Sequence, residues 1–172
     1  MTRAWRIVKK KRSAEAFTGE GARVGGGRWN LPGAPLIYCA DSLALAALEL
    51  FIRIREHGRY VEFVRFQVDI PDSVVIETIE EDKLPPEWSV VPAPPSTKSL
   101  GSQWAGQKRT AVLKVPSVTV AEGFNIILNP LHPDFGKIVI HNPPLPFTFD
   151  PRMWGQPPIF FSVPVPLSLH PS

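Results

Sequence analysis

A single cysteine, Cys39, stands in 172 residues. No disulfide can form within the chain, and a metal site built on several thiolates is excluded. No apolar run approaches the roughly 20 residues that cross a bilayer as a helix. The opening stretch MTRAWRIVKKKR lacks the apolar core of a secretory signal, so the expectation is a soluble cytoplasmic protein without membrane contact. An excess of one sign of charge is lacking too: the net charge is +3, and Lys9–Arg12 is the one dense basic run. Without a helix-turn-helix, zinc-finger or aromatic-basic signature, that run reads as a solvated surface segment, and direct nucleic-acid binding is not expected.

Proline is abundant instead, 20 of 172 residues, more than twice the usual fraction of roughly 5%. Prolines crowd residues 85–95 and 143–171, which rules out long helices there and predicts extended loops. Hydrophobic residues make up 44% and charged residues 20% of the chain, values of a globular domain with a real core.

Periodicity predicts a strand-dominated α+β protein with short helices and no repeats. Residues 3–8 read as a strand with Trp5 and Ile7 on one face. Residues 13–33 read as a glycine-rich loop with one helical turn near Ala14–Phe17. Leu36–Ala40 reads as a short buried strand. Asp41 or Ser42 can cap a helix over residues 43–56 that stops near Gly58. Strands are then expected over 60–70, 74–79, 111–115, 124–129, 137–141 and 147–149. A short helix over 96–106 should turn Trp104 inward. The order is not a regular βαβ alternation, and Gly19–Gly25 lacks the strand–helix junction of a dinucleotide fingerprint.

Residues 25–51 carry the chemistry. A glycine run delivers Arg28 and Trp29, a short strand delivers Tyr38, and an otherwise apolar helix carries Glu49. An ionised carboxylate on a helix expected to be buried needs a partner or a use. Arg28 suits an anionic group or a surface salt bridge. Tyr38 suits a core position with its hydroxyl tied down. Glu49 suits a ligand site or an ion pair with Arg53 one turn on. Ser117, after a strand and a proline, suits a pocket rim or an ordinary turn. His132, Asp134 and His141 lie around a doubly proline-framed loop, which favours rigid structure over a metal.

The segments RAWRI (3–7), GGRWNLPGAPLIY (26–38), ALELF (47–51), LKVPSV (113–118), NIILNPLHPDF (125–135) and PFTFDPRMW (146–154) resemble, in order, the RES domain of bacterial toxin–antitoxin systems. The resemblance implies one domain over 1–154, followed by a proline-rich extension, 155–172, that is not a separate domain. It implies a fold similar to ADP-ribosyltransferase toxins, with a mixed sheet around an NAD⁺ cleft. The activity implied is cleavage of the nicotinamide–ribose bond of NAD⁺, as a glycohydrolase, a phosphorylase or an ADP-ribosyltransferase with a protein acceptor. NAD⁺ is the substrate, and no metal is implied. The implied partner is an Xre-type helix-turn-helix antitoxin.

Carried onto this chain, the family's functional residues are Arg28, Tyr38, Glu49 and Ser117. Glu49 would face the ribosyl cation or hold the ribose hydroxyls. Arg28 would bind the pyrophosphate or ribose-side oxygens, Tyr38 would offer a ring to nicotinamide, and Ser117 would bond ribose or carboxamide. The roles of these last three are interchangeable at this level. The alternative function is a non-catalytic basic module for nucleic acid or an acidic protein; a nuclease reading lacks a histidine–carboxylate pattern.

Overall fold

Among the residues that the computed structural model describes, 1–155, eight strands form one sheet in the order β4-β5-β6-β2-β1-β3-β7, with β8 also pairing β3. The strands are β1 (Thr2–Lys9), β2 (Ile37–Ala40), β3 (Phe63–Ile70), β4 (Ile76–Thr78), β5 (Val112–Pro116), β6 (Phe124–Leu128), β7 (Val139–Ile140) and β8 (Leu145–Phe147). Pairing is antiparallel except between β4 and β5. Three helices accompany them: α1 (Glu20–Gly25), α2 (Leu43–Ile54) and α3 (Pro95–Gln107). The α+β expectation matches this architecture.

Alternation along the strands divides the core between two faces. On one face Ala4, Ile37, Cys39, Val68, Val112, Ile126 and Leu128 pack together. On the other, Ile7 and Ala40 meet Leu45 and Ala46 of α2, while Leu113, Val115 and Ile127 meet Trp104 of α3. Trp5 joins Ile7 on the α2 side. The Ser42 hydroxyl caps α2 by accepting from the Leu45 amide at 3.2 Å. Asp41 serves β6 instead, its carboxylate accepting from the Phe124 amide at 2.9 Å. A φ of 43° at Arg55 ends the helix, and a tight helical turn continues to Tyr60.

The sheet is unevenly knit. β1 and β3 pair along their whole length, from Thr2–Ile70 to Lys9–Phe63. β2 and β6 pair from Ile37–Leu128 to Ala40–Asn125. Between β1 and β2 the only register pair is Trp5–Ala40, so the sheet parts there.

Several expectations change: the strand expected over 147–149 lies at Leu145–Phe147, and the helical turn expected near Ala14–Phe17 lies at Lys10–Glu15. The glycine-rich stretch contains α1, a six-residue helix. The strand expected over 137–141 shrinks to Val139–Ile140, because Pro133 opens a helical turn through Lys137 that the His132 ring caps from Nδ1. The strand expected over 74–79 shrinks to β4 and lies parallel to β5. Beyond Gly155, the proline-rich extension lies outside the described residues.

Asp69 on β3 shows how the sheet handles charge. Arg3 Nε donates to it at 2.9 Å, Gln67 Nε2 at 3.1 Å, and His141 Nε2 lies 2.7 Å away. Led by Arg3, these groups hold its carboxyl down at about 2, below the ~3.9 of an unfolded chain. A carboxyl lowered on folding contributes stability above about pH 4 that is lost as the pH falls towards 2. Asp69→Asn should therefore flatten the loss of stability across that window, read from urea midpoints at pH 5, 4 and 3. Parallel losses in both proteins would refute the account.

Candidate functional site

Residues 26–38 fold back on themselves around Asn30, which is fully buried. Its Nδ2 donates to the carbonyls of Ala22, Leu31 and Ala34 at 2.8, 2.9 and 3.1 Å. Its Oδ1 accepts from the Tyr38 hydroxyl at 2.7 Å, and that hydroxyl accepts from the Trp29 amide at 3.1 Å. Buried polar groups need such partners, so one amide and one phenol set the loop's shape. Gly27 is required by closeness: a Cβ there would come within 2.5 Å of Tyr38 Oη. α3 seats on the same loop, its Gly101 against the Trp29 carbonyl and its Ser102 hydroxyl accepting from the Leu31 amide at 2.9 Å. Burial pushes the Tyr38 phenol well above its ordinary pKa.

Glu49 projects from α2 towards the end of β5 and the start of β6. Its Oε1 accepts from Ser117 Oγ at 3.0 Å and from Asn125 Nδ2 at 3.1 Å. Among the described residues, Oε2 has no donor. Ser117 is buried, and its Oγ also accepts from the Thr119 amide at 3.0 Å. The serine therefore closes a turn and holds the carboxylate at once. Glu49 itself is half-buried, which corrects the expectation of a fully buried helix. α2 covers the sheet with one stripe only, leaving Leu48 38% and Ile52 56% exposed. The alternative ion pair does not form: Arg53 Nε donates to the Glu49 main-chain carbonyl at 3.3 Å, not to its carboxylate.

Arg28 is held by the loop after β4. Its Nη1 donates to the carbonyls of Trp88 at 2.7 Å and Val90 at 3.0 Å. Trp29 stacks on Trp88, with ring centroids 6.4 Å apart. The proline-rich loop thus fixes the guanidinium. Burial lowers the Arg28 pKa from its ordinary value, and the negative charge of Glu49 opposes that fall.

A cavity of about 110 Å³ opens where β1 and β2 part, with Arg6, Tyr38, Glu49, Arg53 and Asn125 in its walls. The structure thus brings Tyr38 and Glu49 to one cavity and bonds Ser117 to Glu49, while Arg28 stands outside the cavity wall. A larger hollow of about 890 Å³, walled by Phe63, Phe147, Phe149, Trp154 and nearby prolines, contains none of the four. Among the described residues no His, Cys, Asp or Glu group is placed to hold a metal. Sequence reasoning missed Asn30, Asn125 and Arg6 as site residues. An Arg in a strand between apolar neighbours was the available signal for Arg6; the asparagines carried none.

Comparison with known proteins follows the same outline. Residues 3–150 match the sequence profile described as the RES domain. The chain is 39% identical over 156 residues to the Prs ADP-ribosylating toxin of Sphingobium sp. (strain YBL2), covering 88% of this chain and 96% of that protein. It is 38% identical over 149 residues to Toxin Res of Yersinia enterocolitica, covering 87% and 97% respectively. In fold it is similar to a chain of the M. tuberculosis MbcT-MbcA toxin-antitoxin complex, solved as a crystal structure. That likeness has a TM-score of 0.65 at 20% identity, covering 86% of this chain and 84% of that one.

Removing Asn30 tests the loop's architecture. Asn30→Ala leaves the Ala34 carbonyl without its donor and the Tyr38 hydroxyl without its acceptor, and removes one of two donors from the Ala22 and Leu31 carbonyls, at a cost on the order of 3 kcal/mol. Urea denaturation should show that loss, and a change within error would mean that water replaces the amide freely.

Proposed function

The chain belongs to the RES domain family, and on that premise we propose that it is the toxin of a toxin–antitoxin pair, acting by cleaving the nicotinamide–ribose bond of NAD⁺. The observation that carries the proposal is the Glu49 carboxylate, held through one oxygen by Ser117 and Asn125, while its other oxygen has no donor among the described residues. As the bond breaks, nicotinamide leaves neutral with the bonding electron pair, and positive charge develops at the ribose anomeric carbon, as in glycoside cleavage. A carboxylate already oriented before that charge appears stabilises it without reorganisation. Two neutral donors on Oε1 hold Glu49 in place while leaving its charge intact. An arginine on the same carboxylate would cancel much of that charge.

Tyr38 would present its ring to the cavity, its hydroxyl being committed to the loop. Arg28, fixed by two carbonyls, would add positive charge for the anionic substrate from the loop side. The anomeric carbon is then taken by a nucleophile: water in a glycohydrolase, phosphate in a phosphorylase, or a protein side chain in an ADP-ribosyltransferase. The name of the Sphingobium relative favours the last of these. The toxin–antitoxin complex of similar fold supports an antitoxin partner, and the family resemblance makes it an Xre-type helix-turn-helix protein.

Purified protein incubated with NAD⁺ should release nicotinamide. Glu49→Gln should lower the rate by about 10²–10³ with folding intact. An unchanged rate in that variant would overturn the mechanism. Labelled NAD⁺ in a bacterial lysate then separates the fates: label on one protein band marks transfer, and free ADP-ribose or its phosphate ester marks degradation.

A further inference from the structure

The hollow of about 890 Å³ takes no part in the chemistry proposed above. Its wall is an aromatic cluster centred on Phe149, whose ring lies 5.0 Å from that of Phe147, 5.8 Å from Phe63 and 5.3 Å from Trp154. Phe63 and Phe149 are buried, whereas Phe147 and Trp154 are only half-buried. Charge at the rim is mostly matched: Lys10 Nζ donates to Glu62 at 3.3 Å, and Arg59 is the remaining charged side chain in the wall. An apolar concavity within the ~300–1,000 Å³ range of ligand-enclosing clefts suits an uncharged, apolar occupant.

The chain itself supplies such a segment at that place. The described residues end at Gly155, one position after Trp154 in the wall. Residues 156–172, QPPIFFSVPVPLSLHPS, therefore start from the edge of the hollow. They include no Asp, Glu, Lys or Arg, and they offer Phe160, Phe161, Val163, Val165 and Leu167 for burial. Pro157, Pro158, Pro164 and Pro166 remove main-chain donors and oppose a helix, so an extended course suits this sequence. At ~3.3 Å per residue, the stretch from Gly155 to Phe161 spans up to ~20 Å, enough to bring both rings back to the wall. A tethered segment also meets its seat at an effective concentration on the order of mM, which favours it over a second copy.

We propose that the hollow seats this chain's own residues 156–172, with Phe160 and Phe161 against Phe147, Phe149 and Trp154. The seat bears on α2 by way of Trp154, whose ring centre lies 5.0 Å from that of Phe51. A Cβ on Gly58 would come within 2.8 Å of Trp154 Cη2 and would also meet Ile54. The docked segment thus holds Trp154 against the last turns of the helix that carries Glu49.

Cysteine pairs test the seat in the full chain, because the native Cys39 is buried. Tyr60 is 90% exposed at the rim of the hollow, and Val75, 66% exposed, is not part of its wall. Under mild oxidation, Tyr60→Cys with Phe161→Cys should close a disulfide within one chain at least tenfold faster than Val75→Cys with Phe161→Cys. Equal rates overturn the proposal, and so does a disulfide that forms between chains and scales with protein concentration. Hydrogen exchange gives a second reading that needs no new bond. Phe160→Ser with Phe161→Ser should speed exchange at the amides of Tyr60, Met153 and Trp154 by tenfold or more. Unchanged exchange at all three overturns the proposal.

Discussion

The sheet parts between β1 and β2 after a single register pair, Trp5–Ala40, and most of what distinguishes this structure follows from that gap. A strand edge inside a sheet leaves main-chain groups that must find partners elsewhere. Here Arg6 supplies one, to the Tyr38 carbonyl. The gap also makes room for a cavity beneath α2, with Glu49 at its wall. If β1 and β2 were fully paired, the side chains of Tyr38 and Glu49 would face a closed sheet. The parting and the candidate site are one feature.

Around it, two polar assemblies hold the surroundings rigid by different means. Asn30 and Tyr38 organise the loop through five hydrogen bonds between neutral groups. Ser117 and Asn125 organise Glu49 through one of its oxygens. Neutral donors suit both jobs. They satisfy buried acceptors without introducing a counter-charge, so the carboxylate keeps its field in a half-buried setting where screening is reduced.

The order of the elements could be read from local pattern. Alternating Val64, Phe66, Val68 and Ile70 mark β3, and the Ser42 cap with its apolar stripe marks α2, because both signals lie within a few residues of where they act. The weaker expectations failed for equally local reasons. The turn opened by Pro133 competes with strand pairing at Lys137, and α1 sits in a stretch whose glycines argue against any helix. The degree of burial of Glu49 was misjudged because a run of apolar residues around a helix does not say how much of its circumference the sheet will cover.

The sequence by itself determined the α+β class, the positions of most strands and the family. Those properties depend on side-chain period, on turn chemistry and on ordered segments, all of which are written along the chain. Tertiary structure alone decided that Glu49 bonds Ser117, 68 residues away, and Asn125, 76 residues away, instead of Arg53 one turn on. It alone decided that Arg28 is fixed by the Trp88 and Val90 carbonyls and that Arg6 faces the cavity with Arg53. The physical reason is common to all of these. A hydrogen-bond partner is chosen by distance in space, and the pairing of β2 with both β6 and β1 creates distances that no local pattern encodes.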